Sequence, residues 1–177
     1  MTAADIASAM QRVRATLTRR GGAALHTDDP AVARWEQGTR VVSCHASGAS
    51  VATDMPRPLG GEGAEVTPGW LLRAAMASCL ATRIAMEAAA RGIDITRLEV
   101  AATSESDARG LLGMTEAGGE PVSPAPREVQ LEVRVAAPQA AAETLRSLIE
   151  DSNRCSPVTF AVSRSVPVSL RIEIDPA

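Results

Sequence analysis

Three thiols and two imidazoles are the side chains here best suited to nucleophilic or ligand chemistry near neutral pH: Cys44, Cys79, Cys155, His26 and His45. Cys79 lies among Leu, Ala and Met, where a free Cys ordinarily acts as a small buried hydrophobe, so taken alone it reads as structural. Cys155 differs, because Ser156-Pro157 directly after it is an N-cap plus first-position pair that could open a further helical turn. A thiol there meets unpaired N–H donors, which favour thiolate; alone, it fits a reactive and an inert role equally. Cys44 and His45 are adjacent in an expected strand, so their side chains should point to opposite faces and form no dyad. Neither histidine has clustered Asp, Glu or Cys partners, so both read as structural rather than as metal ligands. No G-x-S-x-G elbow supports Ser-His-Asp hydrolysis, and a cysteine hydrolase or transferase pairing Cys79 with His45 lacks an oxyanion-hole signature.

Cys79 must be held by the stretch from Thr67 to Arg91, the organising element of the chain. Thr67 suits an N-cap, Pro68 the first helical position and Gly92 the stop. Leu72, Met76, Cys79, Arg83 and Met86 share one stripe, and Leu71, Ala75, Leu80 and Ile84 make the flanks apolar as well. A helix apolar nearly all round is expected to be buried. Arg73, Arg83 and Glu87 interrupt it before the roughly 20 apolar residues that a membrane span needs.

Around this helix, residues Asp5 to Arg20 read as an amphipathic helix carrying Ile6, Met10, Val13 and Leu17, closed by Gly21-Gly22 and docking on the body or a partner subunit. Ala23 to Met55 reads as short strands (AALHT, VARWE, GTRVVSCHA, SGASVATD) with hairpin turns at Gln37-Gly38 and Ser47-Gly48. Further strands are expected at Asp94–Ser106, Arg127–Ala136 and Val166–Ile174, with a helix over Pro138 to Asn153. Segregated strands and helices make the class α+β. The expected organisation is a helical segment over residues 1–22 and one domain over 23–177.

Composition removes several function classes. The 177 residues carry a net charge of −3 and almost no aromatic side chains, which disfavours nucleic-acid stacking and phosphate tracking. Lysine and tyrosine are absent, excluding lysine Schiff bases, a P-loop and tyrosine acids. An odd number of cysteines without C-x-x-C argues against a disulfide scaffold or structural zinc. No charged start followed by an apolar run marks a secretory signal, so a cytoplasmic location without membrane attachment is expected.

Pro56, Arg57, Leu59, Gly60 and Gly61 (P-R-x-L-G-G), a proline-opened helix with its Cys eleven residues after Pro68, and a second Cys beside Pro157-Val158 follow the early hairpins in that order. Over roughly Arg34 to Ile174 this arrangement resembles the OsmC/Ohr family of osmotically inducible and organic hydroperoxide resistance proteins. The resemblance implies an OsmC-like fold with antiparallel sheets wrapped around a long central helix, in an intertwined homodimer with sites between subunits. It implies a thiol-dependent peroxidase for organic hydroperoxides without metal or bound organic cofactor. Cys79 would be the peroxidatic thiol, Cys155 the resolving thiol that forms a disulfide with it, and an external dithiol, commonly a lipoyl protein, the reductant. The family arginine comes from the early hairpins and matches Arg40, with Arg34 and Arg57 as alternatives. Its glutamate partner, directly after the helix-opening proline in the family, is replaced by Gly69, leaving Glu62 or Glu65 as substitutes. Cys155 is separated from Pro157 by Ser156, where the best-known members have Cys-Pro. The competing expectation is a redox-inactive protein of the same fold that holds a small apolar ligand at the dimer interface.

Overall fold

The computed structural model describes residues 2–20, 24–164 and 166–175. Eleven elements follow one another: α1 (Ala3–Arg20), β1 (Val32–Gln37), β2 (Arg40–Cys44), β3 (Ser50–Thr53), a 3-10 turn (Arg57–Leu59), α2 (Pro68–Ala90), β4 (Arg97–Glu105), α3 (Ala108–Leu111), β5 (Arg127–Ala136), α4 (Ala142–Arg154) and α5 (Pro157–Ser163). The class is α+β, with two small antiparallel sheets, β1-β2-β3 and β4-β5, disposed about the long helix α2.

Helix α2 begins and ends where its residues dictate. The Thr67 hydroxyl accepts the Trp70 N–H at 3.2 Å, Pro68 takes the first position, and Gly92 turns left-handed at φ 66° just past the end. Leu80, Ile84 and Ala88 meet Leu148 of α4 in the core, all four almost fully buried. Ile93, Ile95, Leu98, Val100, Leu131, Val133, Leu145 and Ile149 pack around them. Strand β4 alternates as its sequence does, with Leu98, Val100 and Ala102 turned toward the core. The β4–β5 register runs from Arg97 opposite Ala136 to Glu105 opposite Arg127, with a shift between Thr103 and Glu105. Each large aliphatic side chain taken wholly out of water contributes about 1.5–3 kcal/mol, so this cluster is what fixes α2 in place.

Four expectations need correction. The segment from Val166 to Ile174 is not a strand: it pairs with no described residue, and Val168, Leu170 and Ile174 are more than four-fifths exposed. Period-two alternation names the face of a strand but supplies no partner for its backbone groups, and the described residues offer none. Residues 24–27 likewise form no strand, and Leu25 stands in solvent; Ala23 and the expected Gly21-Gly22 stop lie outside the described residues. His45 lies past the end of β2, in the turn, so the two-face argument for Cys44 and His45 does not apply to it. Helix α2 is not buried all round either. Ala75, Ser78, Thr82 and Ala85 run exposed along one side, because the elements packed on α2 cover only part of its circumference.

Two boundaries also move, the first being that α1 starts at Ala3 rather than Asp5. Helix α4 starts at Ala142 rather than Pro138, since Pro138 to Ala140 form a turn closed by Ala140 N–H to the Ala137 carbonyl. Helix α1 lays Ile6 and Met10 toward α2, with an Arg14–Glu87 ion pair at 3.8 Å, while Val13 and Leu17 remain largely exposed.

Candidate functional site

Cys79 sits at mid-length on α2, half-buried. Ala75, Ser78, Thr82 and Arg83 of α2 and Pro157 and Val158 of α5 enclose with it an open, mostly apolar cleft of about 380 Å³. The i−4, i−1, i+3 and i+4 spacings put the α2 residues around the thiol, and the turn between α4 and α5 brings Pro157 against it.

That turn decides what faces Cys79. Helix α4 ends at Arg154, and Cys155 caps it, its N–H donating to the Asp151 and Ser152 carbonyls at 3.3 and 3.2 Å. The Cys155 side chain is exposed. Ser156, the next residue, is wholly buried. Its hydroxyl donates to Cys79 Sγ at 3.3 Å and lies 3.1 Å from the Thr159 hydroxyl. As the N-cap of α5, Ser156 would ordinarily accept an N–H of the first turn, but its side chain makes no such bond. Cys44, Cys79 and Cys155 are all free thiols. The structure thus brings Ser156 onto Cys79 and leaves Cys155 at the surface.

Arg83 lies one turn beyond Cys79 on the same face. Its guanidinium reaches Glu87 at 3.5 Å, and its Nε is buried with no hydrogen-bond partner among the described residues. The i+4 spacing from Cys79 was the signal for it in the sequence, yet nothing there singled Arg83 out as a site residue.

Arg40 opens β2 and is firmly engaged elsewhere. Its Nε donates to Glu36 at 2.8 Å and its Nη1 to Glu65 at 2.7 Å, and these carboxylates, Glu65 foremost, raise its pKa further. Glu65 is therefore the loop carboxylate that pairs with Arg40; Glu62 instead uses its backbone N–H to reach Asp54. Arg34 lies on the exposed strand β1, and Arg57 Nε donates to the Glu62 carbonyl at 3.4 Å. With Thr39, Asp54, Gly60, Gly61 and Glu62, Arg40 borders a second cleft of about 240 Å³, which shares no lining residue with the cleft at Cys79.

Asp54 ties that second cleft together. Its buried carboxylate accepts the Thr39 hydroxyl at 2.6 Å and the backbone N–H groups of Met55, Glu62 and Gly63 at 2.8, 2.9 and 3.0 Å. Together these donors, Thr39 first, hold its pKa down at about 2, against the opposing effect of burial. Gly61 packs so tightly that a Cβ there would collide with the Met55 carbonyl oxygen. Gly69 is different: a Cβ would meet nothing nearer than Arg73 Nη1 at 3.8 Å.

His45 Nδ1 lies 2.8 Å from the Ser47 hydroxyl and accepts the Ser47 N–H at 3.1 Å, a local turn contact in solvent. Among the described residues no three His, Cys, Asp or Glu side chains converge as metal ligands would, and no helix is long and apolar enough to cross a membrane.

Residues 61–171 match the family described as OsmC-like protein. No curated protein matches the chain. Among solved structures, an OsmC-like protein from Mycoplasma pneumoniae is 14% identical with a TM-score of 0.65, over 80% of this chain and 91% of that one. An OsmC-like protein of unknown function from Vibrio cholerae is 14% identical with a TM-score of 0.61, over 77% and 94%. An organic hydroperoxide resistance protein OsmC from Legionella pneumophila is 21% identical with a TM-score of 0.52, over 79% and 91%. At these identities the likeness is one of fold.

Proposed function

Since the chain belongs to the OsmC-like protein family, we propose that it reduces organic hydroperoxides through Cys79. The observation that carries this reading is the placement of Cys79: half-buried, in an open apolar cleft, with a hydroxyl donor on its sulfur. An apolar wall suits the organic part of a hydroperoxide, and a donor to sulfur favours the thiolate that attacks.

In the proposed cycle the Cys79 thiolate attacks the terminal oxygen of the hydroperoxide. The O–O bond breaks, the alkoxide leaves and takes a proton to become an alcohol, and Cys79 is left as a sulfenic acid. The Cys155 thiolate then attacks that sulfur, the S–O bond breaks, hydroxide leaves and takes a proton to become water, and a Cys79–Cys155 disulfide forms. An external dithiol, such as a dihydrolipoyl group, returns both thiols by exchange. Because Cys155 is exposed and Ser156 occupies the contact with Cys79, the α4–α5 turn has to rearrange for this second step. Arg40, set by Glu65, is proposed to serve the site from a second copy, since in one protomer its cleft and that of Cys79 have no residue in common.

The test is stoichiometric oxidation with cumene hydroperoxide followed by non-reducing peptide mapping. A Cys79–Cys155 disulfide that dihydrolipoamide reverses is expected. Cys79→Ser should abolish turnover, whereas Cys155→Ser should permit one oxidation of Cys79 and no intramolecular disulfide. Wild-type turnover in both variants would overturn the mechanism. Free thiols after minutes of exposure would favour the second reading, a carrier of a small apolar ligand, which Gly69 at the family's glutamate position supports. Native mass spectrometry would then find that ligand retained.

A further inference from the structure

We infer that Ser156 is a catalytic hydroxyl for Cys79, delivering to its sulfur a hydrogen bond that Thr159 orients. The catalytic meaning of this contact rests on the peroxidase reading; the contact itself does not.

Three observations converge. A wholly buried hydroxyl needs its bonds made inside the protein, and the partners within reach of Ser156 Oγ are Cys79 Sγ at 3.3 Å and Thr159 Oγ1 at 3.1 Å. Ser156 is the N-cap residue of α5 yet leaves the first-turn N–H groups uncapped by its side chain, so the hydroxyl is turned away from its ordinary use. A hydroxyl carries a single proton. With that proton on Cys79 Sγ, the Thr159 hydroxyl must donate to Ser156, and the chain runs from Thr159 through Ser156 to sulfur.

Such a chain discriminates between the states of the thiol. A neutral thiol is a weak acceptor, whereas a thiolate is a charged one, and charge-assisted bonds are about twice as strong. The bond is thus strongest in the form that attacks peroxide. Within the lining of the cleft the one charged group is Arg83, backed by Glu87, which also pairs with Arg14 and Arg91; α5 contributes hydroxyls and apolar groups. After oxidation the Ser156 hydroxyl can bond to the sulfenic oxygen, holding Cys79 in the cleft until a second thiol arrives.

The experiment follows alkylation of Cys79 by iodoacetamide across pH in the full chain, resolved from Cys44 and Cys155 by peptide mass spectrometry, alongside peroxide consumption. Ser156→Ala should slow Cys79 alkylation at neutral pH about tenfold and move its pH profile upward. Ser156→Thr should restore the profile, and Thr159→Val should give a smaller displacement in the same direction. Superimposable profiles for the wild type, Ser156→Ala and Thr159→Val would overturn the inference, as would an upward shift in Ser156→Ala that Ser156→Thr does not reverse. If Ser156→Ala does not fold, Thr159→Val decides: its displaced profile supports the chain, and an unchanged one overturns it. A wild type inert to hydroperoxide whose alkylation still responds to these substitutions would sink the peroxidase reading while leaving the hydroxyl contact standing.

Discussion

Arg83 holds a buried Nε–H with no acceptor among the described residues, on the helical turn next to Cys79. Unmet donors of this kind cost stability, so one is retained where something else will meet it. If a peroxide oxygen in the Cys79 cleft is that acceptor, removing the donor should slow the oxidation. Arg83→Gln should lower the rate of Cys79 oxidation by cumene hydroperoxide roughly 10- to 100-fold, as loss of a charged donor does, with no loss of thermal stability. Stopped-flow oxidation and a melting curve on the same preparation check both halves. Arg83 was within reach of the sequence, since its spacing from Cys79 is i+4; what hid it was the expectation of an arginine from the early hairpins. For the pair Cys155 and Ser156 the one signal in the sequence was Ser156 standing directly before Pro157, where the family resemblance has Cys-Pro. Successive residues in a helical turn point about 100° apart, so whether position 155 or 156 faces α2 depends on α4 ending at Arg154. No residue type announces that end in advance.

At the scale of elements, Asp54 is the pin of the loop that leads from β3 into α2. Its folded-state pKa of about 2 lies below the ordinary aspartate value of about 3.9, so the sign is that of a depressed carboxylate. The stability it contributes is complete above about pH 4 and is lost as pH falls through about 2. Asp54→Asn should therefore be less stable than the wild type at neutral pH, and the gap should close between pH 4 and pH 2. Denaturant unfolding at several pH values would show it; a constant gap would mean that the charge is immaterial. The elements themselves were legible where local rules suffice. Thr67, Pro68 and Gly92 bound α2 as their chemistry requires, and the alternation of Arg127 to Ala136 is that of β5. Asp54 gave no such sign, because its donors come from three separate stretches of chain.

At the scale of the whole molecule, two exposed rows among the described residues bear on assembly. One is the Ala75, Ser78, Thr82 and Ala85 side of α2; the other is the alternating row Val166, Val168, Leu170, Ile172 and Ile174 beyond α5. The first was read in the sequence as part of a buried helix and the second as a strand; in a single chain the helix side is uncovered and the strand lacks a partner among the described residues. The proposed homodimer accounts for both, with the last segment pairing as a strand across copies. Ile172→Asp should then shift sedimentation from dimer to monomer and lower peroxide turnover with it; a monomeric wild type would overturn the assembly. The same row has a consequence for the life of a freshly made chain. Five exposed aliphatic residues in period-two alternation, unpaired among the described residues, are what cross-β aggregates recruit. On the opposite side of that row stand Arg171 and Glu173, paired at 2.7 Å, charges of the type that act as gatekeepers against stacking. In the proposed assembly a copy that has folded but not yet met its partner is thus the most aggregation-prone species, and a variant whose pairing is weakened should be lost to aggregates, the faster the higher its concentration.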